Sequence, residues 1–129
     1  MAKTARKIPF DFILEQLFPL NPVTRPMFGA HAVYVREKIV MVLREHKEHE
    51  EANGCWIATS KEHHASLKKE LPSMQSIYIL SGGKNETGWQ MIPADSDNFE
   101  TEAMHVCELI LKNDPRIGKI PKSRKKKLR

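Results

Sequence analysis

Two histidines three residues apart, His46 and His49, stand among Glu45, Glu48, Glu50 and Glu51, with Cys55 close behind. Imidazole, carboxylate and thiolate groups are the donors that zinc and similar ions take. The spacing is neither His-Glu-x-x-His nor a Cys-x-x-Cys pair, so the segment reads first as a solvated, charge-alternating loop and only second as a metal site. His63 and His64 fall in a predicted helix. His64 precedes Leu67 by three residues, which places it near the apolar face as a half-buried, hydrogen-bonded histidine rather than a base. His31 falls on a predicted strand. His105 precedes Cys107 by two residues, and positions i and i+2 of a helix do not face each other, which disfavours a Cys-His nucleophilic pair there. Residues 81–88 contain Gly82, Gly83, Lys84 and Gly88, yet they lack phosphate-loop spacing and lead into a strand, so they read as a hairpin turn. No carboxylate stands in the isolated apolar context that raises a pKa. The expectation is a chain without catalytic machinery and without a cofactor.

Charge is distributed unevenly. The chain has 21 basic and 16 acidic residues, a net of +5. Lys3, Arg6 and Lys7 lie at one end and Lys119, Lys122, Arg124, Lys125, Lys126, Lys127 and Arg129 at the other. Removing those ten leaves eleven basic residues against all sixteen acids over residues 8–118, a net of −5. The body should therefore repel phosphate, and any contact with nucleic acid or another polyanion falls to residues 119–129, predicted to be a flexible basic tail. That tail has no interleaved aromatics to stack on bases, so such contact would be weak and sequence-blind.

The 129 residues, 40% hydrophobic and 29% charged, suit one domain with a core, placed at 8–118. No apolar run approaches the roughly 18 residues that span a bilayer, and no apolar stretch follows the basic N-terminal residues, so a cytoplasmic, non-membrane protein is expected. Cys55 and Cys107 read as two reduced thiols.

Apolar residues at 10, 13, 14, 17 and 18 mark a helix that Pro19 stops, and prolines 19, 22 and 26 mark a stiff connection rather than a strand. Residues 31–35 and 39–43 read as a hairpin around Arg36, Glu37 and Lys38. Residues 44–53 are too charged to bury and end in the turn signal Asn53-Gly54. A strand at 55–58 follows, then a helix to Leu71 capped by Thr59 with Glu62. Strands at 76–80 and 89–92 form a second hairpin, and Asp97 or Asn98 caps a last helix carrying Phe99, Ala103, Val106, Cys107, Ile110 and Leu111. The predicted class is α+β, a two-layer α-β(3)-α-β(2)-α arrangement with an antiparallel sheet and helices mainly on one face.

Arg25, Met27, Phe28 and Gly29, after a helix and a proline-rich linker, resemble the Arg-x-Met-Phe-Gly-Gly element of the TfoX (Sxy) N-terminal domain family. The likeness covers roughly residues 10–113. Ala30 stands where the family has its second glycine, and Glu37-Lys38 where its hairpin turn is often Asp-Gly. The downstream half is equally similar to YjbR (MmcQ) proteins, which share the two-layer topology. By this resemblance the four motif residues are structural: Met27 and Phe28 anchor the linker and Gly29 allows a left-handed backbone. The resemblance implies a non-enzymatic regulatory domain acting through protein partners, as TfoX proteins act in regulating transcription of competence genes with the cyclic-AMP receptor protein. The surface residues also allow a homodimer.

Overall fold

Ile13 and Leu17 lie one helical turn apart, and burying that pair fixes helix α1 (Asp11–Leu17) against the rest of the chain. The computed structural model describes residues 8–27, 29–77 and 88–120. Phe10, at φ 55° just before α1, and Phe12 set their rings edge-on to Phe99 at 5.0 and 6.3 Å. Phe18 leaves the expected stripe and is 69% exposed. The chain tightens there into a 3-10 turn, Phe18–Leu20, whose three residues per turn rotate Phe18 off the buried side.

The expectation that the proline-rich connection is no strand is overturned. Strand β1 (Val23–Met27) contains Pro26 and pairs antiparallel with β2 (Ala30–Val35), Pro26 opposite His31. Proline is tolerated because β1 is the edge of the sheet, where one side needs no partner. The exposed Arg25 lies over the Tyr34 ring at 5.7 Å. Together, Pro26 and Arg25 blunt an edge that could otherwise recruit another strand. Gly29, at φ 76°, turns the chain from β1 into β2. Met27 packs on the far face of the sheet, and Phe28 lies outside the described residues.

Strand β3 (Lys38–Arg44) closes the expected hairpin through a two-residue turn, Arg36 and Glu37, both left-handed at φ 54° and 68°. The turn is thus one residue earlier than Glu37-Lys38. A bulge follows: Val33 faces Met41 but Tyr34 faces Ile39, leaving Val40 as the extra residue. Strand β4 (Gly54–Ile57) pairs with β3 and with β6 (Gln90–Pro93), and β5 (Gln75–Ser76) lies outside β6. Among the described residues, six strands run antiparallel in the order β1-β2-β3-β4-β6-β5. The remainder of the strand expected over 76–80, and most of its hairpin loop, lie outside the described residues.

Both faces of this sheet are buried. On one face Val33, Val35, Met41, Leu43, Cys55, Ile57 and Ile92 meet residues from α1, from α2 (His64–Glu70) and from α3 (Phe99–Leu111). The bulge adds Val40 to this face. The alternate residues Ala32, Ile39, Val42, Trp56 and Met91 form a second apolar cluster, joined by Ala52 from the 3-10 turn Glu50–Ala52 and, among the described residues, by no residue of α1, α2 or α3. Trp56 is its centre, donating Nε1–H to the Ala52 carbonyl at 2.8 Å and meeting the Trp89 ring at 6.4 Å. The α+β class and the antiparallel sheet agree with the expectation, with one strand more before α2.

Two predicted caps differ. Thr59 does not cap a helix: the buried extension of β4 runs through it, and the turn Lys61–His63 starts after Ser60. Its hydroxyl has no hydrogen-bond partner among the described residues. Asn98 does precede α3, but its side chain makes no capping bond; the Ser96 hydroxyl instead accepts the Asn98 amide proton. Glu102, in the first turn of α3, is buried and accepts the Ser73 amide at 3.0 and 3.2 Å. It ties the turn after α2 to α3.

Lys119 is held by the sheet. Its backbone exchanges two 2.9 Å hydrogen bonds with Ile39, and Gly118 donates to the Ala58 carbonyl at 2.7 Å. The described part of the residues expected as a tail therefore begins as an added edge of the fold, and residues 121–129 lie outside the described residues. No helix of the described residues is long and apolar enough to cross a membrane.

Candidate functional site

Arg44 is the residue that organises the histidine loop. Expected as part of a stretch too charged to bury, it is only 5% exposed. Its guanidinium donates to the carbonyls of Glu48 (2.8 Å) and His49 (2.9 Å) and to Asn53 Oδ1 (2.7 Å). Asn53 is extended, not turned, and its amide bridges back to His46, accepting from its N–H and donating to its carbonyl, each at 2.9 Å. His46 Nδ1 accepts the Glu48 amide proton at 3.1 Å, and the ring borders Gly29. His49 is exposed beside Glu51 at 3.7 Å. Cys55 is buried in the helix-side core. Among the described residues no three His, Cys, Asp or Glu side chains are grouped to hold a metal ion.

The two thiols are also withdrawn from solvent chemistry. Cys55 Sγ lies 3.9 Å from Met41 Sδ, and Cys107 Sγ donates to the Ile13 carbonyl at 3.6 Å. Burial, with the neighbouring Cys107 thiol second, pushes the Cys55 thiol far above its ordinary value. Burial, with Glu108 second, pushes Cys107 up to about 12. Only the thiolate is reactive. Native protein is therefore expected to leave both thiols unmodified by a thiol-disulfide reagent at pH 8 and to titrate two thiols after denaturation; rapid native labelling would contradict the burial.

His64 is half-buried with Nε2 2.9 Å from the Gly88 carbonyl, as its spacing from Leu67 suggested. His105, in contrast, lies on the outer side of α3 from Cys107. Its Nε2 is 2.8 Å from Glu70 Oε1 and its Nδ1 is 3.3 Å from Glu108 Oε1. A neutral ring carries one N–H and can donate to only one of them.

Glu70 ends α2, and Arg116 reaches it from the segment after α3. The Arg116 guanidinium sits 2.8 Å from Glu70 Oε2 and 2.8 Å from Asp114 Oδ2, with Nε donating to Asp114 Oδ1 at 2.9 Å. Hydrogen bonds from His105 first and Arg116 second hold the Glu70 carboxyl below the ordinary carboxylate range. The hydrogen bond from Arg116 does the same for Asp114. A depressed folded pKa contributes stability that is complete above the unfolded value near 4 and is lost as pH falls through the folded one. Arg116→Ala is thus expected to destabilise at neutral pH, with the gap to wild type closing below about pH 4. Urea midpoints across pH 3–7 measure it, and a pH-independent gap would contradict the pairing.

Beside this network lies an open groove of about 590 Å³ lined by Glu70, Thr101, Glu102, Met104, His105 and Glu108. Its lining combines the apolar stem of Met104 with carboxylates, and its rim already grips one guanidinium. Sequence reasoning missed this assembly. The i, i+3 pair His105–Glu108 was legible on a helix; Glu70 and Arg116 were not, because they arrive from separate segments. A smaller recess of about 130 Å³ adjoins Asn21, Val23, Arg25, Tyr34, Arg36 and Glu37, and includes the motif residue Arg25.

Compared with models of protein families, with curated proteins and with solved structures, the chain matches none.

Proposed function

We propose that this chain is a non-enzymatic regulatory or interaction module, of the kind its TfoX-like motif implies, that binds a protein partner through the groove between α2 and α3. One observation supports the reading above others: carboxylates of Glu70 and Asp114 are ordered around the guanidinium of Arg116 at 2.8 Å, beside an open surface with an apolar patch. Such a surface recognises basic side chains by paired, charge-assisted hydrogen bonds. By the same resemblance the process served is transcriptional regulation.

Glu108 is 63% exposed, so Glu108→Lys exchanges one of the groove's three carboxylates for an ammonium without disturbing the core. Quantified co-purification from the native cell should recover a partner with wild type and lose it with Glu108→Lys. Equal recovery with both would sink the groove as the interface.

The charge segregation supports a second reading, an accessory role on DNA or RNA carried by the basic C-terminal residues. In that case affinity falls with salt at a log–log slope of about −0.9 per phosphate contacted, and replacing those basic residues by glutamine abolishes it. Salt-independent binding, or binding that survives the replacement, would exclude it.

A further inference from the structure

We propose that a second copy of this chain docks against the β1 edge of the sheet, each copy inserting Phe18 into the recess beside the other's Val23, Arg25 and Tyr34. This surface shares no lining residue with the groove between α2 and α3, so the inference stands apart from the groove reading. Phe18 supplies the knob. It is 69% exposed, a large aromatic side chain held out from the 3-10 turn that follows α1. Its N–H donates to the Glu15 carbonyl, so Glu15 stands one tight turn before it, and positions i and i+3 of such a turn share a side. Glu15 is exposed as well.

The recess supplies the hole. Its volume of about 130 Å³ is close to the roughly 150 Å³ of an apolar cavity that takes up benzene. Val23, itself 51% exposed, and the Tyr34 ring give it apolar walls, and the Arg25 guanidinium already lies over that ring at 5.7 Å. A phenyl ring entering there meets an aromatic ring and a cation, both of which attract its π-system. Phe18 does not line the recess of its own chain, yet Asn21 joins the two: it lines the recess and donates its N–H to the Phe18 carbonyl at 2.9 Å. Knob and hole are therefore neighbours on one surface, which lets a two-fold axis between identical copies make both insertions at once.

Charge favours a second copy as the occupant. With Phe18 inserted, Glu15 of one copy arrives at the rim where Arg25 and Arg36 of the other stand. Glu37 is the one carboxylate in that lining. Among the described residues, none of Glu15, Arg25 and Arg36 forms an ion pair within its own chain, and Arg36 has only a 3.5 Å bond to Asn113 Oδ1. Pro26 discourages strand addition at this edge, so the contact is made by side chains and the interface is small and weak.

Sedimentation equilibrium of the full chain from micromolar to millimolar concentration tests this. Wild type should associate to a dimer and no further. Phe18→Ser should weaken the dimer about thirtyfold or more, the scale of an interface anchor, with the urea midpoint unchanged because the side chain is exposed. Glu15→Arg and Arg25→Glu should each weaken it about fivefold or more, since each change acts twice across a two-fold axis. Joined in one chain, the two changes should restore it. Glu108→Lys should leave it intact, which keeps this result independent of the groove. A monomer at every concentration overturns the proposal, as does a dimer that survives Phe18→Ser or a double variant no tighter than either single. Wild type that stays monomeric, yet loses a different protein on Phe18→Ser, assigns the patch to that protein and rejects the second copy.

Discussion

Gly54→Ala should cost more than about 3 kcal/mol of folding stability, the largest effect expected of a glycine-to-alanine change among the described residues. Gly54 opens β4 at φ 146°, a backbone that L side chains rarely adopt. A Cβ there would stand 2.1 Å from the Ile92 carbonyl oxygen and 2.9 Å from the Ala94 nitrogen. Both obstacles are backbone, so no side chain can rotate away. Relief requires moving β6, which would break the Gly54–Pro93 and Cys55–Ile92 pairs and the 2.8 Å bond from the Ala94 N–H to the Asn53 carbonyl. Those strands carry Trp56 and Met91 on one face and Ile57 and Ile92 on the other, so both cores would loosen. Urea unfolding measures the loss. A variant within about 1 kcal/mol of wild type would mean that the β4–β6 contact is not this close.

Arg44→Met should cost about 2–4 kcal/mol. Methionine keeps much of the apolar stem but strands two carbonyls and weakens the hold on Asn53, all of which the guanidinium now satisfies. Arg44→Lys should recover only part of the loss, because an ammonium cannot fork between three fixed acceptors. The loop supplies an independent readout. With its anchor gone, Lys47 should be cut by trypsin well before the rest of the domain, whereas a purely global loss would expose all sites together. Unchanged stability and an unchanged cleavage order would contradict the anchoring role.

Much of the architecture was legible because its signals are local. The 3.6-residue period from Phe99 to Leu111 has one stable solution, a helix with Ala103, Val106 and Ile110 inward, and that is α3. The β-branched runs on either side of Arg36 and Glu37 could close only as a hairpin, even though neither turn residue is glycine. Other elements misled for equally physical reasons. Three prolines argued against β1, since proline is excluded only from interior strands and position in the sheet is not written locally. Local polarity argued that residue 44 is exposed. Its burial depends on three acceptors that come together only when residues 48–53 fold around it.

The sequence by itself determined the antiparallel α+β class, the hairpin, the last helix and the concentration of positive charge at the chain ends, because periodicity and charge are carried by neighbours along the chain. Tertiary structure alone decided the rest: that both faces of the sheet are buried, that Arg44 rather than either histidine is the centre of its loop, and that Glu70, His105 and Arg116 meet beside one groove. Those three residues are separated by 35 and 11 positions, and a contact of that kind exists only once α2, α3 and the segment after α3 have packed on the same face.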